Sequence, residues 1–257
     1  MAVTSAGRAR GGAWETVKVV IEALVIVVLV RTFLFQPFSI PSGSMRGTLL
    51  EGDYVFISKY AYGYSSHSFP FGWPDFEGRV LARQPQRGDV VVFKLPSDEG
   101  TDYIKRVVGL PGDRIQMIGG ALTINGVAVG RERVEDFRGL DAAGREILVP
   151  QYRETLPNGV SYLTLDLVPD GAFDDTDEFV VPEGSYFVMG DNRDNSADSR
   201  LAPNYEHPER GGVGFVPFEN LVGRAEIVFF SMDETYRPWM VWKWPSAVRW
   251  DRIFDSL

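Results

Sequence analysis

The sequence predicts a mainly β protein preceded by a single N-terminal transmembrane helix. Residues 14–36 form a long apolar stretch, and a helix of about 22 residues spans roughly 30 Å, the thickness of a bilayer's hydrocarbon core. The runs that follow are short, β-branched and aromatic, and several are opened by Gly-Asp turns, as is typical of strands. Asn125-Gly126 lies between two such runs and predicts a two-residue hairpin turn.

Composition excludes several classes of function. The net charge of the 257 residues is −9, and no basic stripe is visible, so nucleic acid is excluded as a partner. Cysteine is absent, which excludes disulfides, thiol catalysis and Cys-ligated metals. The two histidines, His67 and His207, lie among turn residues, so neither is a good candidate for the histidine of a Ser/His/Asp triad. A serine nucleophile in this chain therefore needs another base.

The N-terminal segment reads as a membrane anchor. Residues 1–13 predict a cytoplasmic tail, because Arg8 and Arg10 precede the apolar stretch. Residues 14–36 predict the transmembrane helix, although four charged side chains interrupt it: Glu15, Lys18, Glu22 and Arg31. The first three share one helical face, and Lys18 can pair with Glu22 at i+4. A cleaved signal peptide and an amphipathic helix on a soluble domain remain alternatives, but no small-x-small pattern ends the run.

The rest of the chain predicts a β domain with an insertion. Residues 37–118 and 182–257 form the main domain, with strands predicted at 53–58, 89–94, 102–108, 184–190 and 221–230. Residues 119–181 are acidic and loop-rich apart from the hairpin at 121–129, and predict an inserted cap subdomain. The tail at 239–250 holds four tryptophans interleaved with Lys243 and Arg249. These rings either cover the core or contact lipid headgroups.

Ser44 and Lys105 are the candidate catalytic pair. A serine hydroxyl needs a base within hydrogen-bonding distance, and a lysine can be that base only if burial lowers its pKa from about 10.4. Strand alternation places Tyr103 and Val107 on the face of Lys105, which is an apolar neighbourhood. Taken singly, a Ser-Gly turn and a strand lysine are usually structural.

Residues 190–200 are the third suggestive stretch. Four side chains there could hold a cation: Asp191, Asn192, Asp194 and Asn195. The stretch lacks the spacing and closing Glu of an EF-hand, so an acidic turn is the simpler interpretation and no metal site is predicted.

Four ordered motifs together resemble those of bacterial type I signal peptidases: Pro41-Ser-Gly-Ser-Met45 with Thr48-Leu49, Arg87-Gly-Asp-Val-Val-Val-Phe-Lys94, Tyr103-Ile-Lys-Arg106 with Gly109-Leu-Pro-Gly-Asp113, and Gly190-Asp-Asn-Arg-Asp-Asn-Ser-Ala-Asp-Ser-Arg200. The resemblance implies a membrane-anchored, mainly antiparallel β fold, with a catalytic domain at 37–118 and 182–257 and the cap inserted in it. It also implies a cofactor-free Ser/Lys dyad that cleaves signal peptides from exported preproteins after small residues, in an Ala-x-Ala pattern.

The implied location is the bacterial cytoplasmic membrane, with one crossing, a cytoplasmic N-terminus and the catalytic domain on the outer face. The implied partners are preprotein signal peptides and membrane lipids, and the secretion translocon is a further candidate.

The resemblance also implies a role for each matching residue. Ser44 attacks the scissile carbonyl, Lys105 takes its proton, and Ser44 N–H with the Ser42 hydroxyl forms the oxyanion hole. Ser196 orients the lysine. Two ion pairs support the site, Arg106 with Asp191 and Arg200 with Asp198.

The implied substrate pockets are apolar. The pocket for the first residue before the cut consists of Ile40, Met45, Leu49, Tyr103 and Ile104, and that for the third of Phe38, Val92, Asp102 and Ile104. Position 47 is Gly where the family usually has Pro, which predicts a looser turn after Met45. Two other functions remain open: a specialised processing peptidase for a pilus or conjugation component, and an inactive, membrane-tethered peptide-binding module.

Overall fold

A computed structural model describes residues 12–69, 76–140, 145–233, 242 and 244–257. Helix α1 (Gly12–Phe33) carries Glu15 in its first turn and Arg31 in its last, where each charge complements the helix dipole. Lys18 and Glu22 form the predicted ion pair, with 3.7 Å between Nζ and Oε1. The helix gives way to strand β1 (Phe35–Ser39), where Pro37 disfavours the helical conformation for the residue before it.

The helix is confirmed, but its interpretation as a transmembrane span is not. Within the part of the chain that the structure describes, no helix has both the length and the apolar character required to cross a membrane. The four interrupting charges, Glu15, Lys18, Glu22 and Arg31, lie within α1. Of the predicted tail at 1–13, residues 1–11 lie outside the described residues, and Gly12 begins the helix.

The described residues are mainly strands, as predicted. After β1 these are β2 (Asp53–Ser58), β3 (Val90–Leu95), β4 (Asp98–Gly109), β5 (Arg114–Ile118), β6 (Ala121–Ile124), β7 (Val127–Ala128), β8 (Gly130–Arg133), β9 (Phe137–Leu140), β10 (Glu146–Val149), β11 (Gln151–Thr155), β12 (Ser161–Leu165), β13 (Phe179–Val180), β14 (Ser185–Met189), β15 (Val216–Pro217) and β16 (Leu221–Ser231). Neighbouring strands in every described ladder are antiparallel.

The largest described sheet carries the candidate catalytic residues. Its strand order is β1-β2-β16-β3-β4-β14-β15. In β3 the continuous apolar run is explained by burial on both faces, because Val90 and Val92 join one apolar cluster while Val91 and Phe93 join another. Full burial of a side chain such as Phe93 contributes about 1.5–3 kcal/mol. Packing on both faces therefore fixes β3, and through it the neighbouring β4.

The cap begins earlier than the sequence suggested. Strand β5, assigned from sequence to the main domain, pairs with β6 and β13 in a separate four-stranded sheet. The boundary placed between residues 118 and 119 cuts through a hairpin whose turn is Gly119-Gly120, with φ of 54° and 73°. Without a side chain at either position, the turn has no steric obstacle to positive φ.

The predicted Asn125-Gly126 hairpin is confirmed. Asn125 and Gly126 have φ of 53° and 78°, and Ile124 faces Val127 across the turn. Strands β8 to β12, in two further small sheets, also lie within the predicted cap.

The C-terminal segment packs against the rest of the protein through Ala247 and Val248 and not through its described tryptophans. Residues 239–241 and 243 lie outside the described residues, and helix α2 spans Trp244–Ala247. Ala247 and Val248 are buried, whereas the described tryptophans of this segment are 41–71% exposed: Trp242, Trp244 and Trp250. Covering of the core by these rings is therefore not observed.

Candidate active site

Ser44 lies in a short 3-10 helix, Gly43–Met45, directly after the extended Ser42. Met45 is fully buried and holds the turn against the core. A side chain at position 43 would have to displace those of Glu51 and Arg46, since an added Cβ would lie 2.7 Å from Glu51 Oε1 and 2.8 Å from Arg46 Nε. Those two residues form an ion pair across the turn. The sequence therefore fixes both the turn and the direction of the serine.

Lys105 lies against this serine. Its Nζ is 2.7 Å from Ser44 Oγ and 2.9 Å from Ile104 O, and the residue is only 3% exposed. Burial lowers the pKa of Lys105 from 10.5 to about 8, although Asp198 and Asp191 act in the opposite direction. At pH 7 about one molecule in ten then carries a neutral amine, against about one in 2,500 for an ordinary lysine. The predicted contact with Tyr103 is present, because Nζ lies 5.4 Å from the ring centroid.

The two other predicted serines have different surroundings. Ser42 Oγ lies 3.5 Å from Ser44 Oγ, at the limit for a hydrogen bond. Ser42 lines a cavity that is also lined by Ser44 and Lys105. Ser196 is buried beside Gly190, and its Oγ is not among the atoms that Lys105 Nζ contacts. The expected hydrogen bond from Ser196 to Lys105 is therefore not found, because the amine directs its contacts to Ser44 and Ile104 instead.

Both predicted ion pairs are confirmed. Arg106 binds Asp191 through two hydrogen bonds of 2.9 and 2.7 Å, and Arg200 binds Asp198 through two of 2.9 Å. Burial would raise the pKa of Asp198, yet Arg200 holds it below its ordinary value. Thr48 joins the first pair by donating to Asp191 Oδ2 at 2.6 Å, so the strand of the lysine, the turn of the serine and the 190–200 stretch are tied together.

Sequence reasoning missed the residue that clamps the nucleophile turn. Asn192 donates from Nδ2 to Gly43 O at 2.9 Å and from its backbone N–H to Ser44 O at 3.1 Å. Gly190 permits this approach, because a Cβ there would lie 2.5 Å from Ser44 O. The position of Asn192 within a motif rich in Asp and Asn was visible, but no sequence signal identified the carbonyl groups that it binds.

The candidate pair, Ser44 and Lys105, lines a cavity of about 330 Å³. Four predicted pocket residues line it: Phe38, Asp102, Tyr103 and Ile104. The other four are fully buried in the apolar cluster that includes Ile104, so they support the wall rather than line the cavity: Ile40, Met45, Leu49 and Val92. Three lining residues were not predicted: Pro41, Asn195 and Ala197.

The backbone conformation at position 47 requires glycine, and the turn there is not loose. Its φ is +111°, and an added Cβ would lie 2.7 Å from Leu163 O of β12. Proline holds φ near −65° and cannot adopt this geometry. The turn is therefore enclosed by the cap strand, contrary to the expectation of a looser turn.

Three of the four side chains considered for a cation loop, Asp191, Asn192 and Asp194, have other partners. Asp191 is bound by Arg106, and Asp194 accepts the backbone N–H groups of Leu167 and Val168. Asp194 also lies near Asp166 and Asp174 of the cap. Because Asp166 pairs with Arg131, this acidic cluster is already partly neutralised.

The known proteins that this chain resembles are signal peptidases. The family described as "Signal peptidase, peptidase S26" matches residues 13–230. The chain belongs to this family. Signal peptidase I of Rickettsia typhi and that of Rickettsia canadensis are each 41% identical over 254 residues, which cover 90% of this chain and 89% of the relative. A solved structure of a signal peptidase I from Enterococcus faecalis is 30% identical and covers 55% of this chain and 97% of its own, with a TM-score of 0.31.

Membership in the signal peptidase family makes the chain a serine endopeptidase. The family match includes Ser44, Lys105 and the ion-paired 190–200 stretch, and it ends within β16. The tryptophan-rich tail therefore lies outside the family match.

Proposed function

We propose that this peptidase cleaves N-terminal signal peptides from exported preproteins after small residues, with Ser44 as nucleophile and neutral Lys105 as general base. The contact of 2.7 Å between Lys105 Nζ and Ser44 Oγ in a buried site carries the proposal. Within this geometry no other side chain is needed to receive the serine proton.

The chemistry follows from the two atoms. As Ser44 Oγ attacks the scissile carbonyl carbon, its proton passes to Lys105 Nζ. The resulting ammonium group then donates that proton to the leaving nitrogen as the C–N bond breaks, which leaves an ester on Ser44. A water molecule, deprotonated by the again neutral amine, hydrolyses the ester. Ser42 Oγ and the backbone N–H of Ser44 are the proposed donors to the oxyanion.

Preference for small residues follows from the cavity walls. Alternate side chains of an extended peptide point to the same side, so the first and third residues before the cut both face the wall formed by Phe38, Tyr103 and Ile104. Ile104 belongs to a packed cluster with Val92 and Met45. A side chain larger than a methyl group would have to displace these atoms, which usually costs about 1–3 kcal/mol.

Membrane lipids are the proposed partner of α1. From Val17 to Val30 its large apolar side chains are 39–62% exposed, and contact with lipid would remove them from water. This contact would bring the peptidase to the bacterial cytoplasmic membrane, where preproteins emerge, so the secretion translocon is a proposed neighbour.

The test uses the detergent-solubilised protein and a preprotein with Ala at the first and third positions before the cut. We expect a single new amino terminus after the second of these alanines, identified by mass spectrometry. Ser44→Ala and Lys105→Met should each lower kcat by at least about 10³-fold, because neither residue acts without the other. Circular dichroism checks that both variants stay folded. Cleavage near the wild-type rate by either folded variant would rule out the dyad, and a panel of unrelated precursors measures how broad the activity is.

A further inference from the structure

A larger cavity of about 970 Å³ adjoins the catalytic cavity. Asp102 borders both, so the two volumes meet at that side chain. Gln36 of β1, Lys94 of β3 and Lys59 also line the larger cavity. The proposed mechanism uses none of these three residues.

The two cavities follow one another along the strands. On β1, Phe38 lines the small cavity and Gln36 lines the large one. The two residues are two apart and therefore share a face. On β4, Ile104 lines only the small cavity, and Asp102, again two residues away, borders both. An extended peptide advances about 6.6 Å for every two residues, so a chain that places its third residue before the cut near Phe38 and Asp102 brings its fifth to Gln36.

The strand edges here are free to bind such a peptide. Strand β4 pairs with β3 along one edge, but β14 pairs only with its end from Arg106 to Gly109. Strand β1 pairs with β2 alone among the described strands. The backbone groups of both unpaired edges can therefore hydrogen-bond to an added strand.

The larger cavity offers polar groups at the place where the fifth side chain would lie. Gln36 is half-buried, and its amide has no hydrogen-bond partner in the part of the chain that the structure describes. Lys94 Nζ and Asp102 Oδ1 form an ion pair of 2.9 Å beside it. The buried Lys59 donates from Nζ to Ser68 O. An apolar side chain would remove water from these groups without replacing its hydrogen bonds, which is unfavourable.

We propose that this cavity is a subsite for the fifth residue before the cut, and that it selects uncharged hydrogen-bonding side chains such as Gln or Asn through the free amide of Gln36. Side chains of both signs line the cavity, with Arg31, Lys59 and Lys94 against Glu77, Glu99, Asp102 and Glu219, so neither sign of charge is strongly favoured. The proposal rests on the proposed function, since it requires a peptide to be bound for cleavage at Ser44.

The experiment compares precursors that differ only at the fifth position before the cut, Gln against Leu. We expect the Gln precursor to have a kcat/KM about tenfold higher, mostly through a lower KM, because the contact is made equally in the ground and transition states. The same exchange at the fourth position, whose side chain points the opposite way, should change kcat/KM by less than about twofold.

Gln36→Leu should abolish or reverse the preference at the fifth position. Gln151→Leu, a matched change at a half-buried glutamine of the cap strand β11, should leave it unchanged. Equal kcat/KM for the two fifth-position precursors with the wild-type protein overturns the subsite, even if Gln36→Leu fails to fold. An undiminished preference in folded Gln36→Leu overturns it as well. If the wild type cleaves no precursor, the proposed function itself fails.

Discussion

Lys105 depends on its surroundings for the ability to act as a base. At 3% exposure the ammonium form loses most of its hydration, and this loss outweighs the attraction of Asp198 and Asp191. Each of those carboxylates is already bound by an arginine, so neither is free to stabilise the ammonium group fully. The amine therefore remains easier to deprotonate than an ordinary lysine.

The pH dependence of cleavage should follow this amine. Because the neutral form is the base, kcat/KM should rise with pH, by about 50-fold between pH 6 and 8, and level off above about pH 9. The measurement is a steady-state profile from pH 5.5 to 9.5 with one precursor. The control is a pH-jump assay at pH 7, which verifies that the protein survives the extremes. A flat profile between pH 6 and 8 would contradict Lys105 as the titrating base.

Replacing the lysine should stabilise the fold at neutral pH. Below pH 8 the folded protein must keep a buried amine protonated, which costs about 3 kcal/mol given a pKa of about 8 in place of 10.5. The unfolded chain binds the extra proton between pH 8 and 10.5, so wild-type stability rises across that window. Lys105→Met should therefore exceed the wild type in unfolding free energy at pH 7, and the difference should shrink by pH 10. Urea unfolding at both pH values measures it, and a constant difference would argue against the shifted pKa.

The positions of site residues could be predicted where strand alternation or a recognised motif specified them. Alternation placed Tyr103 beside Lys105, and the motifs identified Ser44 and both arginine–carboxylate pairs. The hydrogen bonds of Asn192 could not be predicted, because they depend on how closely Gly190 lets two backbones approach.

At the scale of elements, the cap is joined to the catalytic stretch by a buried ion pair. Arg193, which follows Asn192, binds Glu154 of β11, and both side chains are at most 4% exposed. Tyr162 of β12 donates to the same carboxylate at 3.0 Å. The backbone of β12 also meets the stretch directly, because Arg193 N–H donates to Leu165 O at 2.9 Å. The cap therefore supports the stretch that holds the serine turn.

Weakening this pair should destabilise the protein far more than weakening an exposed one. Glu154→Gln leaves Arg193 charged, buried and poorly compensated, which should cost about 3–5 kcal/mol. Glu132→Gln is the matched control, since Glu132 pairs with Arg153 at 3.9 Å and its side chain is 74% exposed; this change should cost less than about 0.5 kcal/mol. Urea unfolding at pH 7 compares the two variants, and equal losses would show that the cap pair is not a support.

Most strands of the largest sheet were predictable, and those of the cap beyond the Asn125-Gly126 hairpin were not. Strand β2 begins and ends at the predicted residues, and β3, β4, β14 and β16 differ from prediction by at most four residues at either end. These strands contain β-branched and aromatic runs, which are recognisable in a sequence. Strands β8 to β12 lie in a region read as acidic and loop-rich, where pairing between polar strands leaves little hydrophobic periodicity to detect. The cap boundary was misplaced because the turn at Gly119-Gly120 resembles a linker.

At the scale of the whole molecule, the proposed catalytic groups and the proposed membrane contact lie in separate parts of the chain. The catalytic groups lie on β4, the serine turn and the 190–200 stretch, whereas the exposed apolar side chains lie on α1. The helix ends where Tyr64 donates to Phe33 O at 2.6 Å and Lys59 N–H donates to Leu34 O at 2.9 Å. Sequence correctly predicted the helix, together with the four charges that interrupt its apolar stretch.

This separation can be tested by placing charges on the exposed face of α1. Leu24→Glu with Val28→Glu changes two side chains that are each 58% exposed, so folding and the rate of cleavage in detergent should stay within about twofold of the wild type. Binding to lipid vesicles should fall at least about tenfold, because two charges would have to enter an apolar environment. Val127→Glu, at a 68% exposed position on the cap, should leave both measurements unchanged.

Vesicle flotation and the detergent assay are run on the same preparations. Unchanged flotation of the α1 variant would show that the helix is not the membrane contact, and a matching loss of cleavage in detergent would show that the two functions are not separate.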